Sequence, residues 1–445
     1  MMLNKKTIIL KLLLILAIAI TVIGFIFDLH NTLSYPGTDL RNRVVGARLA
    51  LEGIDPYFFK WHPGMPEIFY DPMDKPEEIL SKLSVPPTVL ALHAPLAIFS
   101  YRSQKVIWFI VQWSVFAGIL VVFYNSSKSK IKRNLVLLLG FAFANSLFWR
   151  FHVNSGQIYI IYIGLLSISW LLLNQQFKYK EVASGFFAGI TAGLRPPYIL
   201  FFLFFLINRK YSFIIGGIAG ILFIVLSSIA VAGTFIWQQY SLAMMSMTGF
   251  INLEKAFPKL REDIIAQISI HSQIVEGVDF KIRNPLEEHL FSNSALYEVF
   301  TAMDLSGKKE ILVVGFIFTF AILCWFGIKY GMKQKDQNLT FLFSTVICLI
   351  SEFFIPVGRY SYYDIQWLLP LLIIFTTVST KKLVSNKLIL LLIAGLVLSM
   401  GYFTWIPNSL FYSTYLIAGY VAILTLILIK QKGQKPKSWL PDTNI

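Results

Sequence analysis

The sequence predicts an all-α, polytopic membrane protein of about twelve transmembrane helices. Three observations point there. Of 445 residues, 56% are hydrophobic and only 14% charged, where a soluble domain carries roughly 25% charge. Mean hydropathy is +0.65, and apolar runs of about 18 or more residues, long enough to cross a bilayer as a helix, recur along the chain. The positive charges gather between alternate runs, as cytoplasmic loops do.

The first run, 7–27, reads as an uncleaved signal anchor, because it is too long for a signal peptide and no small-x-small cleavage site follows. Further spans are expected near 105–124, 134–150, 157–173, 182–194, 197–207, 211–233, 310–328, 338–356, 363–379, 388–406 and 411–430. The short pair 182–194 and 197–207 is broken by Arg195-Pro196-Pro197, which an uninterrupted helix does not tolerate well. Two short helices meeting at a turn are expected, with one kinked helix as the alternative. The run VPPTVLALHAPLAIF, 85–99, is short and carries three prolines and a histidine. It reads as a juxtamembrane or re-entrant helix, tolerated where protein or a watery cavity buries it.

With the N-terminus in the cytoplasm, the inner segments hold 20 of the 39 basic residues and only three of the 24 acidic ones. Lys128, Lys130, Lys132 and Arg133 form the densest inner group among the loops. The net charge of +15 is therefore a topology signal, and no nucleic-acid partner is implied. Both termini are expected inside. The outside then receives the loop 28–104, the loop 234–308, and three short connections at 151–157, 195–197 and 358–364. The chain divides into a module over 1–235, the outer loop 234–308, a C-terminal module over 309–430 and a basic tail over 431–445. Cys324 and Cys348 fall in spans and read as packing residues. The six histidines show no HxxxH spacing, so no metal or cofactor is expected; a divalent ion shared by Asp39 and Asp55 is conceivable, but one carboxylate per motif argues against it.

Polar groups gather on the expected outer surface. In TDLRNRVVGARLALE, 38–52, Leu40, Val44, Ala47 and Leu51 share one helical face and Arg41, Val45, Arg48 and Glu52 another. This predicts an amphipathic helix in the interface with Thr38 or Asp39 at its N-cap. Asp39 has two readings: a cap alone, or a catalytic carboxylate beside Arg43 and Arg48, which would meet a lipid phosphate. GIDPY, 53–57, is a turn whose Asp55 and Tyr57 either line a polar pocket or simply close the turn. In WRFHVNSGQ, Arg150, His152, Asn154 and Gln157 are set between apolar segments; amides such as these bind sugar hydroxyls and also cap helices. Arg195 lies where a charge needs a polar cavity or a partner. Its planar fork suits phosphate, and a snorkelling helix-end arginine is the alternative. Finally, GRYSYYD places Arg359, Tyr363 and Asp364 together at one helix boundary, with Glu352 nearby.

Taken in order, these motifs resemble the C-type glycosyltransferase superfamily, most closely glycosyltransferase family 87, the polyprenol-phosphate-mannose-dependent α-mannosyltransferase-like membrane enzymes. The likeness is carried by Asp39 with Gly53-Ile54-Asp55-Pro56-Tyr57, the run from Pro86 to Leu96, Gly156-Gln157, and Ala188-Gly189 leading to Arg195-Pro196. It spans roughly 7–235. Arg195 stands where the family often has Lys, and Tyr362-Tyr363-Asp364 where histidines are common. The resemblance implies a sugar, mannose-like hexose or pentose, moved with inversion from a polyprenyl-phosphate donor to a lipid or glycan acceptor on the extracytoplasmic face, in a bacterial plasma membrane. Asp39 would be the general base. Arg195, Arg43, Arg48 and Arg359 would hold the donor phosphate. Tyr57, Asp55, His152, Asn154, Gln157, Tyr363 and Asp364 would bind sugar or acceptor. Two other classes compete. A transporter or flippase for lipid-linked glycans would show internal repeats and paired charges at the midplane. A glycan polymerase or ligase would place arginines in 234–308, where Arg261 and Arg283 stand among many acids.

Overall fold

A computed structural model describes residues 2–34, 37–62, 64–74, 78–247, 294–296, 299, 309–331, 336–355, 358–380, 383, 387–401, 403, 406 and 408–434. Every regular element among them is helical. Six helices are long and apolar enough to cross a membrane, or seven if one bent pair counts as a single span. The long ones are α1 (Met2–Ser34), later α4 (Tyr101–Ser126), α10 (Tyr211–Ala232), α12 (Lys309–Phe326), α13 (Gln337–Ser351) and α16 (Ser409–Gln434). On α1, Ile15, Leu16 and Ile23 point outward and exposed, as expected of a surface that faces lipid.

The other expected spans are shorter. The run 134–150 breaks at Asn145-Ser146 into α5 (Lys130–Ala144) and α6 (Leu147–Asn154), bent by 57°. The break has a local cause: the Ser146 hydroxyl accepts from the Trp149 N–H and restarts the helix. The stretch 151–157, expected as a loop, is therefore mostly the end of α6. Around Arg195, α8 (Lys180–Leu194) gives way to a 3-10 turn, Pro196–Phe201, and then α9 (Phe202–Ile207). This is the two-helix arrangement, not the single kinked helix. The run 85–99 forms only α3 (Pro87–His93) and a 3-10 turn, Ala94–Leu96. Ten residues of helix rise about 15 Å, half a bilayer core. The remaining helices are α2 (Thr38–Leu51), α7 (Tyr159–Leu173), α11 (Phe235–Met247), α14 (Leu368–Thr377) and α15 (Ile389–Ser399). The start of the expected loop 234–308 is thus helical; most of its remainder, with Arg261 and Arg283, lies outside the described residues.

The middle of the bundle is α7, α13 and α14, the last with nine buried residues in a row, Leu368 to Thr376. Packing between α8 and α10 depends on glycine: a Cβ on Gly185, Gly189, Gly216 or Gly220 would sit 2.0 Å from a backbone oxygen of the other helix. That is the small-residue contact by which membrane helices approach.

The most consequential departure is α2. It does not lie on a surface with one polar face outward. Leu40, Arg43, Val44, Val45, Gly46, Ala47, Arg48, Leu49 and Ala50 are all buried, because α3 and the segment 57–83 wrap it. Its arginines find hydrogen-bond and ring partners inside this wrapping. Arg48 donates to the carbonyls of Ala97 (3.0 Å), Ile68 (2.9 Å) and Phe99 (2.9 Å). Arg41 donates to the Tyr70 carbonyl and lies 4.4 Å over the Tyr101 ring.

Candidate active site

The turn after α6 brings α2 to the mouth of α7. Gly156 takes φ +70°, and the Leu40 side chain fills the space where its Cβ would be, 2.5 Å away. Backbone N–H groups of Asp39 and Leu40 donate to the Ser155 carbonyl at 3.0 and 3.1 Å. Thus the first turn of α2 is capped by another segment. No side chain caps it, so the capping role expected of Thr38 or Asp39 is not the one they have. The Asp39 carboxylate is left for other work.

Gln157 occupies it. The Gln157 Nε2 donates to Asp39 Oδ2, while its Oε1 accepts from the Arg43 guanidinium at 2.6 Å. Arg43 also donates to the Gly156 carbonyl, at 3.0 Å. The backbone of Gln157 is pinned from behind: Trp108 Nε1 and Gln112 Nε2 on α4 donate to its carbonyl at 3.2 and 2.8 Å, and its own N–H donates to the His152 carbonyl. Burial raises the Asp39 pKa above the ordinary carboxylate range; Arg43 and the Gln157 amide oppose that rise, and the nearby charge of Asp71 adds to it. Asp71 is linked to the same helix through Asn42, whose amide donates to its Oδ2 at 3.0 Å. Burial pushes Asp71 up as well.

A second group stands beside the first. Arg195 pairs with Glu352 (3.0 Å) and lies over the rings of Tyr159 (5.3 Å) and Tyr363 (5.2 Å). Glu352 is held by Gln366 Nε2 at 2.9 Å, and Gln366 Oε1 accepts from the Tyr198 hydroxyl at 2.7 Å. Tyr159 touches Tyr162, Tyr362 and Tyr363, with centroids 5.6, 6.0 and 4.4 Å away. The charges of both Arg43 and Arg195 act on Tyr162, and that of Asp39 acts on Tyr362. Asp39, Gln157, Arg43, Arg195 and Tyr363 therefore belong to one neighbourhood. In the sequence Glu352 stands near GRYSYYD, but Tyr159, Tyr162 and Tyr198 carry no signal, because in YIIYIGLL and PPYILF they pass for span or interface aromatics.

Other expected site residues are occupied elsewhere. Each nitrogen of the Arg48 guanidinium donates to one of the three carbonyls. Arg359 is 1% exposed and bound to Asp364 (2.6 Å) and Ser294 (2.7 Å), and Asp364 also accepts from the Thr414 hydroxyl. Tyr57 is fully buried, its hydroxyl donating to the Val85 carbonyl at 2.9 Å. Asp55 accepts from the Tyr57 N–H beyond the far end of α2. That helix is about 20 Å long, so Asp55 and Asp39 cannot share a cation. His152 is buried against Trp149, its Nε2 accepting from the Ile160 N–H at 3.1 Å. Asn154 is buried on the other side of the turn, in a small cavity with Lys105 and Trp108. Among the described residues, no three His, Cys, Asp or Glu side chains gather in a way that could hold a metal.

The fold and this neighbourhood define a helical membrane protein with a carboxylate, an amide and two arginines set around the turn between α6 and α7. Residues 85–262 match the model of glycosyltransferase family 87, which implies a membrane glycosyltransferase acting on a sugar donor and an acceptor. The matched stretch covers about two-fifths of the chain and includes Gln157 and Arg195; Asp39 and Arg43 precede it. No curated protein and no solved structure matches the chain.

Proposed function

We propose that the protein transfers a sugar from a polyprenyl-phosphate donor to a lipid or glycan acceptor on the extracytoplasmic face of the membrane, with Asp39 as general base. The observation that carries this is the Asp39–Gln157–Arg43 arrangement, supported by the family match. A base for a hydroxyl must be ionised yet basic, and burial raises the basicity of Asp39 in the required direction. In the transfer, Asp39 takes the acceptor's hydroxyl proton as that oxygen bonds to the sugar C1. The C1–O bond to the phosphate breaks, and polyprenyl phosphate leaves with the electron pair. Attack opposite the leaving group inverts the anomeric centre.

Arg43 and Arg195 flank the site and stabilise the charge that develops on the phosphate. Gln157 holds the base in place, which replaces the sugar-binding role first expected of it. Arg48, Arg359, Asp364, Asp55 and Tyr57 hold the scaffold. A mannose-like hexose or a pentose remains the proposed sugar, on the resemblance alone, and no metal is included. The test is an assay of purified protein with a panel of polyprenyl-phosphate sugars. Asp39→Asn is expected to insert and express normally but to transfer nothing. Full transfer by that variant removes Asp39 from the mechanism; accumulation of unchanged substrate in proteoliposomes replaces the enzyme with a transporter.

A further inference from the structure

Tyr159 and Tyr162 lie one turn apart on the same face of α7, at i and i+3. Their rings are 4% and 2% exposed. Among the described residues neither hydroxyl makes a hydrogen bond, although a tyrosine hydroxyl in a protein interior normally finds a partner, and neither oxygen is among the fully buried unpartnered atoms, so each keeps an opening to its surroundings. Tyr198, on the neighbouring turn, shows the usual outcome in its bond to Gln366. Both tyrosines have a cation nearby. The Arg195 guanidinium lies over the Tyr159 ring, and the charges of Arg195 and Arg43 both reach Tyr162. An O–H group near a cation is a donor suited to an anionic acceptor. Glu352, the carboxylate paired with Arg195, bonds to neither.

We propose that the Tyr159 and Tyr162 hydroxyls bind the phosphate of the lipid-linked donor, held between Arg43 and Arg195. This rests on the transferase reading above and adds the donor's contacts to it. A phosphate here accepts charge-assisted bonds from both arginines and completes the two hydroxyls. Phenol is also a weak acid that donates without surrendering its proton at neutral pH, so it can strengthen its bond as the leaving oxygen gains charge. The sequence hid the pair inside an apolar run, where aromatic residues look like packing.

The test is direct binding of a short-chain polyprenyl phosphate to the purified, detergent-solubilised protein, followed by donor kinetics. Tyr159→Phe and Tyr162→Phe keep the rings and remove only the hydroxyls, and Tyr124→Phe, near the far end of α4 beside Arg133, is the control. Each of the first two is expected to weaken polyprenyl-phosphate binding about tenfold or more, to raise the KM for donor and to leave the KM for acceptor and the thermal midpoint unchanged. Tyr124→Phe should leave binding unchanged. Inorganic phosphate binding with the same losses also supports the site, with recognition confined to the headgroup. If the wild type binds polyprenyl phosphate and both variants bind it equally well, the tyrosine assignment is overturned and the transferase stands. If the wild type binds neither probe and transfers no sugar from a polyprenyl-phosphate donor, both fall.

Discussion

Replacing Gly156 by Ala tests whether the turn at 155–157 sets the position of the base. Two penalties add. At φ +70°, an L-residue with a side chain is disfavoured by about 1–2 kcal/mol. The new Cβ would also stand 2.5 Å from the Leu40 Cβ, whereas carbons pack at about 3.5–4.0 Å, so α2 must retreat by about 1 Å. Leu40 is the residue after Asp39, and both hang from the Ser155 carbonyl, so the carboxylate moves too. A displacement of about 1 Å can lower a rate about 100-fold. Gly53→Ala is the internal control: its φ is +71°, yet nothing lies within 4 Å of its Cβ position. The expected result is a similar backbone penalty in both variants, seen as a lower thermal midpoint, with kcat reduced about 100-fold only in Gly156→Ala. Equal activity in the two variants refutes the claim that this turn positions Asp39.

The pH profile of kcat/KM should rise with pH as Asp39 ionises, with its acid limb above the ordinary carboxylate range because burial raises that pKa. Gln157→Leu removes a donor that favours the carboxylate, so the limb should move to higher pH; Asp71→Asn removes a neighbouring negative charge, so it should move to lower pH. Shifts in the same direction would contradict the arrangement. Arg195→Met leaves the buried Glu352 without its cation and should cost about 3–5 kcal/mol of stability, part of which Arg195→Met with Glu352→Leu restores in a denaturation assay. Arg48→Met should cost about 1.5–3 kcal/mol and increase protease cleavage within 57–99, since its guanidinium ties Ile68, Ala97 and Phe99 to α2.

The class of fold was readable because a bilayer imposes it: apolar length and lysine placement are local properties of the chain. The break at Arg195-Pro196-Pro197 was readable for the same reason, since proline acts on its own backbone. The bend at Asn145-Ser146 was not, because serine interrupts a helix only where its hydroxyl turns to cap the next one. Nor could the environment of α2 be read locally. Its arginines alternate with apolar residues as on an interfacial helix, and only partners 20 to 114 residues distant, Ile68 for Arg48 and Gln157 for Arg43, reveal that they are buried. Asp39 stood out because a carboxylate beside a membrane span is unusual. Tyr159 and Tyr162 did not, because an aromatic in an apolar run is ordinary and a missing hydrogen bond leaves no trace in sequence.

The Gln157 side chain cannot titrate and carries no net charge, and this neutrality matters. Placed between Asp39 and Arg43, it keeps a carboxylate and a guanidinium near one another without letting them collapse into a direct pair, which would make the carboxylate a poorer base. In the proposed transfer, Asp39 gains a proton while the departing phosphate gains one negative charge. The total charge of the site stays constant; the negative charge moves from the carboxylate to the phosphate. Fixed cations, one of them spaced from the base by a neutral amide, can thus serve the start and the end of the reaction in turn, and no counter-ion has to enter or leave the site during the cycle.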